Sequence, residues 1–347
     1  WFIILEVNDT SMLVVEATEY GDAEALEAVE REMPEPGPEQ VRIEIEAAGI
    51  NFADIMQRRG KYLGGPEPSY VPGMEAAGRI DATGDRVNLN EGDRVVAMVD
   101  TGAYGEYVLA NPQALFPIPD GMSFDEAAGF PVQFLTAHGC LFGWGGLEEG
   151  ERVLIQAASG GVGTAAVQLA SAAGAEVFGT ASTQEKLDRA ADLGCDHPIN
   201  YVEEDFVEEI DELTDGEGAP DGSESSPSGT GVDLVLDGVG GDVFHDSLDA
   251  LAPFGRVVTY GAASGDTASV DTGRLLFENK TVIGYHLGRA MRHDPGRVLE
   301  AVPELTQQLT DGDLEVIVGE SFALEDAAEA HQYIEDRKSS GKVVLHP

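Results

Sequence analysis

The chain predicts an α/β protein: a doubly wound parallel sheet joined to a second, smaller, β-rich barrel domain. Three observations predict it. At 347 residues the chain exceeds one ordinary core and suits two domains. From Met12 to about Gln133 the apolar residues come in short strand-like runs, whereas beyond that point strands and helices alternate. The stretch VLIQAASGGVG, residues 153–163, sets a glycine-rich turn between an apolar strand and an Ala-rich helix.

The elements follow in order. Residues 1–11 read as an upstream extension, because Met12 begins a plausible first strand; their WFIILEV is too short to cross a bilayer and has neither a basic flank nor a small-residue cleavage site behind it. Met12 opens the first strand, MLVVEAT; VRIEIEAAGI, AAGRIDATG, GDRVVAMV and GEYVLA follow, separated by Gly, Pro and Asp turns. Next, VLIQA leads into the helix GTAAVQLASAAG, and AEVFGTA into QEKLDRAADLG. VDLVLDGVG then leads into the helical VFHDSLDALA, and RVVTYG and TVIGYHLG close the series. Strand, helix and strand at this spacing imply right-handed crossovers and a parallel sheet. From about residue 285 the pattern is mixed, with helices near 297–309 and 324–337 and strands EVIVG and KVVLH. DGEGAPDGSESSPSGTG, residues 215–231, has almost no apolar side chains and reads as an inserted flexible surface loop.

Charge narrows the function. Sixty-four acidic against twenty basic residues leave a net charge of −44, about one per eight residues, spread along the whole chain. Such a field disfavours nucleic acid as a partner. It fits a surface adapted to concentrated salt, where screening removes self-repulsion, and so predicts a halophilic source. No run reaches the ~18 apolar residues of a membrane span, and the expected compartment is the cytoplasm. Two isolated cysteines, Cys140 and Cys195, exclude a disulfide framework or a cysteine-based zinc cluster and read as small buried hydrophobes.

In a doubly wound sheet, ligands bind at the carboxyl ends of the strands. The turn AASGGVG lies there. Gly160 and Gly163 keep the spacing of the last two glycines of the dinucleotide fingerprint, with Ala157 at the first small position. Ser159, Gly160, Gly161, Val162 and Gly163 therefore form the candidate pyrophosphate cradle; the alternative is a purely structural turn. An NAD site needs a carboxylate at the end of the second strand, but no acid occurs from Val177 to Gln184. Ser182 can instead hydrogen-bond a 2′-phosphate and Lys186 can neutralise it, which selects NADPH, unless Lys186 is simply a solvated helix lysine.

The motifs AASGGVG, GINFADIMQRRGKY, PGMEAAG and GKVVL, in this order, resemble the medium-chain dehydrogenase/reductase superfamily, and within it the zinc-free quinone oxidoreductase branch. GINFAD, GMEAAG, VVTYG and GYHLG are similar to the vesicle amine transport protein type of that branch. The resemblance implies a GroES-like catalytic domain from residues 12–134 and 282–347, and a Rossmann dinucleotide-binding domain from 135–281. It places Asn51 and Met74 where zinc relatives carry a catalytic Cys and His, so no metal is expected. It implies zinc-independent, NADPH-dependent reduction of a quinone-type conjugated carbonyl, whose conjugation spreads the incoming charge. Asn51 and Tyr62 would face the reacting carbonyl. Asn51 either donates to the oxyanion or stabilises a helix start, and Tyr62 either donates a proton or walls the pocket. Asp54 would be structural. Thr136, Tyr201, Tyr260, Gly261 and Tyr285 would contact the cofactor, and Lys342 would reach a cofactor phosphate. His286 reads as structural, and His138 as a packing residue. A homodimer through VVTYG and TVIGYHLG is implied. Two other functions remain open: an NADPH-dependent 2-enone or enoyl reductase, and a cofactor-binding adaptor with little turnover.

Overall fold

The run VRIEIEAAGI alternates buried and outward residues over its first half, and in the computed structural model it forms the long strand Val41–Ile50. The structure describes residues 11–214 and 230–347. Most of the expected extension and of the 215–231 loop therefore lies outside the described residues. The first strand begins one residue earlier than expected, as Ser11–Ala17, pairing with Leu26–Glu32, a strand that the sequence reading missed.

Two compact units emerge. One takes in the described residues up to Pro131 together with Val318–Pro347. Its seven-stranded sheet runs in the order Val318–Ala323, Lys342–His346, Val41–Ile50, Glu75–Thr83, Arg94–Met98, Leu115–Pro117, with Tyr107–Ala110 also pairing onto Val41–Ile50. Val15, Val41, Ile43, Ile80, Val95, Tyr104, Leu324 and Leu345 share its core. The closing strand inserts between the first and last portions of this unit: Lys342–His346 lies parallel to Val318–Ala323 and antiparallel to Val41–Ile50.

The other unit, Val132–Ile317, holds a six-stranded, wholly parallel sheet. Its order is His197–Asn200, Glu176–Ala181, Arg152–Ile155, Val232–Asp237, Leu251–Thr259, Thr281–Gly284. In chain order this is 3-2-1-4-5-6, the doubly wound arrangement with its switch point between Arg152–Ile155 and Val232–Asp237. Every residue of those two central strands is buried, as expected for strands covered on both faces.

Four details depart from the sequence reading. Residues 282–317, assigned to the first domain, lie with the parallel sheet, because Thr281–Gly284 pairs with Leu251–Thr259 as its edge. The third parallel strand, His197–Asn200, escaped notice because it is short and polar; its His197 stacks on Phe178 at 4.4 Å and bonds Glu176 at 2.8 Å. The helix expected over 297–309 is two, Pro295–Leu299 and Val302–Asp311. EVIVG enters its strand only at Val318.

Candidate active site

The glycine turn stands at the switch point. Strand Arg152–Ile155 ends, Gln156–Gly160 turns, and the helix Gly161–Ala172 starts after the N-cap Gly160. Ala157 takes φ 55°, a left-handed conformation unusual for a residue with a Cβ. Thr180 on the neighbouring strand holds it: its hydroxyl donates to Gln156 Oε1 (2.7 Å) and accepts the Ala157 N–H (3.2 Å). Gln156 in turn donates to Ser247 (3.1 Å). A Cβ at Gly163 would collide with the Ala157 carbonyl and lie 2.8 Å from the carbonyl of Ala158, so helix and turn pack backbone to backbone. Ser159 is buried within this turn, while Gly160, Gly161 and Val162 are half-buried on its outer side. A cradle of small residues and glycines at a helix N-terminus fits a pyrophosphate.

Ser182 follows the strand Glu176–Ala181, and Thr183 caps the next helix, Gln184–Asp192, accepting the Lys186 N–H at 3.4 Å. Lys186 sits half-buried in that helix's first turn. Tyr201 follows the adjacent strand, its N–H donating to Ala181 O (3.2 Å), with its side chain exposed. The structure thus gathers Ser182, Lys186 and Tyr201 at the carboxyl ends of two neighbouring strands.

Tyr260 and Gly261 close the fifth strand. The Tyr260 N–H donates to Asp237 O (2.9 Å), and its ring lies where any side chain at position 238 would stand. Tyr285 follows the sixth strand but turns inward: it is buried, its hydroxyl donates to Leu135 O at 3.4 Å, and its ring lies 4.9 Å from Trp144. This brings it against the helix Pro131–His138, which carries the buried Thr136. A hollow of about 370 Å³ opens beside it, lined by Trp144, Thr259, Tyr285, His286 and Arg289 among others. His286 caps the helix Leu287–His293, accepting the Arg289 N–H at 3.2 Å. Cys140 and Cys195 are both buried free thiols.

In the other unit Asn51 is the N-cap of the helix Phe52–Arg58. Its amide is occupied on both sides. Nδ2 donates to Glu75 Oε1 (3.0 Å) and to Gly49 O (3.4 Å), and Oδ1 accepts from Lys342 Nζ (2.9 Å). Asn51 stands at the helix start through its backbone, whose N–H donates to Asp54, while its side chain bonds Gly49, Glu75 and Lys342; donating to a substrate oxyanion would require one of these bonds to be given up.

Lys342 is placed otherwise than expected. Its ammonium is 1% exposed and pairs with the fully buried Glu75, inside the unit rather than on a surface open to a phosphate. Gly49 makes the room: a Cβ there would lie 2.5 Å from Lys342 Cε and 3.0 Å from Nζ. The sequence reading missed Glu75, although an acid opening the apolar run EAAG was a signal that it needed a cation.

Tyr62 is half-buried, and burial, with the charges of Asp54 and Asp100, raises its pKa, so the phenol keeps its proton. Asp54 is fully buried, and desolvation lifts its pKa to about 7 against the opposing Asn51 N–H, Lys342 and Tyr104.

At Asn51 and Met74, which the family resemblance sets at ligand positions of zinc relatives, stand an amide and a thioether, and the Glu75 carboxylate bonded to Asn51 pairs with the Lys342 ammonium. Among the described residues no group of three or more His, Cys, Asp or Glu side chains is placed to hold a metal ion.

Comparison with known proteins agrees in outline. Residues 37–120 match the alcohol dehydrogenase GroES-like domain, and residues 161–306 the family described as zinc-binding dehydrogenase. The chain is 34% identical to a quinone oxidoreductase of Pseudomonas aeruginosa over 94% of this chain and 97% of the relative. It is 36% identical to the human synaptic vesicle membrane protein VAT-1 homolog, covering 90% and 80%. Its structure matches that of Escherichia coli quinone oxidoreductase complexed with NADPH with a TM-score of 0.87 at 32% identity, over 96% of this chain and all of that one. The chain belongs to the medium-chain dehydrogenase/reductase family, with quinone oxidoreductases and VAT-1-like proteins as its relatives.

Proposed function

We propose that this protein is a zinc-independent, NADPH-dependent reductase of a quinone-type, conjugated carbonyl acceptor. The observation that carries the reading is the glycine-rich turn at the switch point, together with a second strand whose end is followed by Ser182 and, in the next helix, Lys186, with no carboxylate from Val177 to Gln184. The N–H groups of the turn and helix start hold the pyrophosphate, with Gly163 required by close packing. Ser182 and Lys186 take the 2′-phosphate, and Tyr201 lies beside the ribose. Thr136, Tyr260, Gly261 and Tyr285 shape the nicotinamide end; Tyr285 does so through its backbone and ring, since its hydroxyl is spent on Leu135.

When bound, the reduced nicotinamide supplies the hydride. The chain supplies the rest. A conjugated acceptor spreads the incoming charge, so a hydrogen-bond donor can serve where an isolated carbonyl would need a metal cation. Tyr62, kept protonated by burial and by neighbouring carboxylates, is that donor. Asn51 positions it indirectly by fixing the start of the helix that leads to the Tyr62 loop. A phenol that holds its proton also suits delivery to a carbon, which favours 2-enone or enoyl reduction as the second reading; an adaptor with little turnover is the third.

The edge strand Thr281–Gly284 and the exposed Leu276 and Phe277 on the preceding helix suit pairing with a second copy, giving a homodimer. A monomer mass by light scattering in ~2 M KCl would refute the pairing. No helix of the described residues is long and apolar enough to cross a membrane. The acidic chain supports a halophilic source and no nucleic-acid partner, and the compartment we propose is the cytoplasm. The test of function is a panel of quinones and enones with NADPH. Turnover on quinones supports the first reading, turnover confined to enones the second, and bound cofactor without turnover the third.

A further inference from the structure

The helix Phe52–Arg58 turns its inner face onto polar side chains for which the proposed reaction has no direct use. Asp54 Oδ2 accepts the Asn51 N–H at 2.8 Å and lies 3.2 Å from the Tyr104 hydroxyl. That hydroxyl lies 2.9 Å from His331 Nε2, on the helix Ala327–Glu335, with the two rings edge to face at 5.7 Å. Arg58 Nη2 pairs with Glu335 (2.7 Å), which also takes Arg59. Asp54, Arg58, Tyr104 and His331 are each 0% exposed.

Six buried atoms here have no protein hydrogen-bond partner: Asp54 Oδ1, Gln57 Oε1, Arg58 Nε and Nη1, Tyr70 Oη and His331 Nδ1. Native interiors leave few such atoms, and when several gather at one place, water completes them. They do gather. The charge of Arg58 acts on His331, Tyr70 and Tyr104, and that of Asp54 on Tyr70 and Tyr104.

We infer that internal water occupies this site and that Asp54, Tyr104 and His331 form a buried proton chain with its water end at His331 Nδ1 and its store at Asp54. The geometry forces a coupling, because Tyr104 has one hydroxyl hydrogen and two neighbours. With Asp54 ionised, the hydroxyl donates to Oδ2, and His331 must donate from Nε2–H, leaving Nδ1 an acceptor. A proton arriving from water at Nδ1 releases the Nε2 hydrogen to the Tyr104 oxygen, and the former hydroxyl hydrogen passes to Asp54. The products are a protonated Asp54 donating to Tyr104, a Tyr104 donating to Nε2, and a neutral His331 with its hydrogen on Nδ1. One proton has entered and one is stored. His331 stays neutral in both states, since burial and Arg58 depress its pKa to about 3. The groups facing Asp54 are Lys342 and Glu75 from the sheet and Tyr62, Tyr70 and Tyr104 from the loops. Loading the store removes one of the two carboxylate charges that raise Tyr62, which links the chain to the proposed donor in so far as that reading holds.

The test does not depend on turnover. Nitrogen NMR of the ¹⁵N-histidine-labelled full chain, with His331 assigned by its loss in H331Q, reports the tautomer directly. The expected result is a change from Nε2–H to Nδ1–H as pH falls through the range around neutrality where Asp54 titrates. In D54N and Y104F, His331 should keep one tautomer throughout. A high-resolution crystal structure should show ordered water on His331 Nδ1 and Asp54 Oδ1. One unchanging tautomer from pH 5 to pH 9 in the parent protein, a transition that persists in Y104F, or a dry site at Nδ1 would each overturn the inference.

Discussion

Replacing Lys342 with Met removes the ammonium paired with the fully buried Glu75 and keeps the Asn51 amide beside it. Met keeps most of the lysine's volume, so the perturbation is one of charge and not of packing. Lys342 is 1% exposed and Glu75 0%, so neither charge is relieved by water. Breaking a buried pair by removing one partner costs about 3–5 kcal/mol, because the survivor must stay charged without a cation or take up a proton. For a unit of this size each kcal/mol moves the melting midpoint by roughly 2–4 °C, so the expected fall is roughly 6–20 °C. Removing both charges in E75Q/K342M should recover all but about 1 kcal/mol, since a neutral amide no longer requires the ammonium. Urea titration followed by tryptophan fluorescence, which adds no ions, is the assay. Repeated at ~0.1 and ~2 M KCl, the deficit of the single variant should be unchanged, because salt cannot screen a pair that it cannot reach. A loss below about 1 kcal/mol, or one that shrinks with salt, would show that the pair is solvated and that Glu75 does not depend on the ammonium.

Cofactor choice follows from the second strand's end: NADPH should bind at least ~10-fold more tightly than NADH, about 1.4 kcal/mol, and K186A should erase most of the gap, as titration calorimetry can show. Asp54 gives a pH dependence with a definite sign. Its pKa rises from the ordinary 3.8 to about 7 on folding, so the stability that it contributes is complete below pH 3.8 and is lost as pH climbs through 7. The unfolding free energy of the parent should therefore fall by roughly 2–3 kcal/mol relative to D54N between pH 5 and pH 8, and a constant difference would rule out the shift. The acidic surface predicts that melting temperature rises between ~0.1 and ~2 M KCl; a flat or falling trend would assign the acids another purpose.

The parallel sheet was legible because fully buried strands write themselves as apolar runs: VLIQ and VDLVLD are seen without knowing their neighbours. The glycine turn was legible for the opposite reason, since close backbone approach forbids side chains and leaves glycine as a mark. What stayed hidden was long-range pairing. Lys342 and Glu75 lie 267 positions apart, and nothing local says that one neutralises the other. The same holds for Tyr104 and His331, 227 positions apart. His197–Asn200 was lost because its stability comes from stacking and a carboxylate partner rather than from apolar periodicity. The boundary at 282 that the resemblance implies misses the sheet edge, which is defined by pairing, and composition does not display pairing.

The central claim is that NADPH reduces a conjugated carbonyl on this protein without a metal. The most direct measurement is the rate of NADPH oxidation after a simple 1,4-quinone is added to protein dialysed against a chelator in ~2 M KCl, with the metal content of the same sample determined. The account predicts undiminished turnover and no stoichiometric zinc. Activity that disappears with the chelator and returns with one zinc per chain would contradict it.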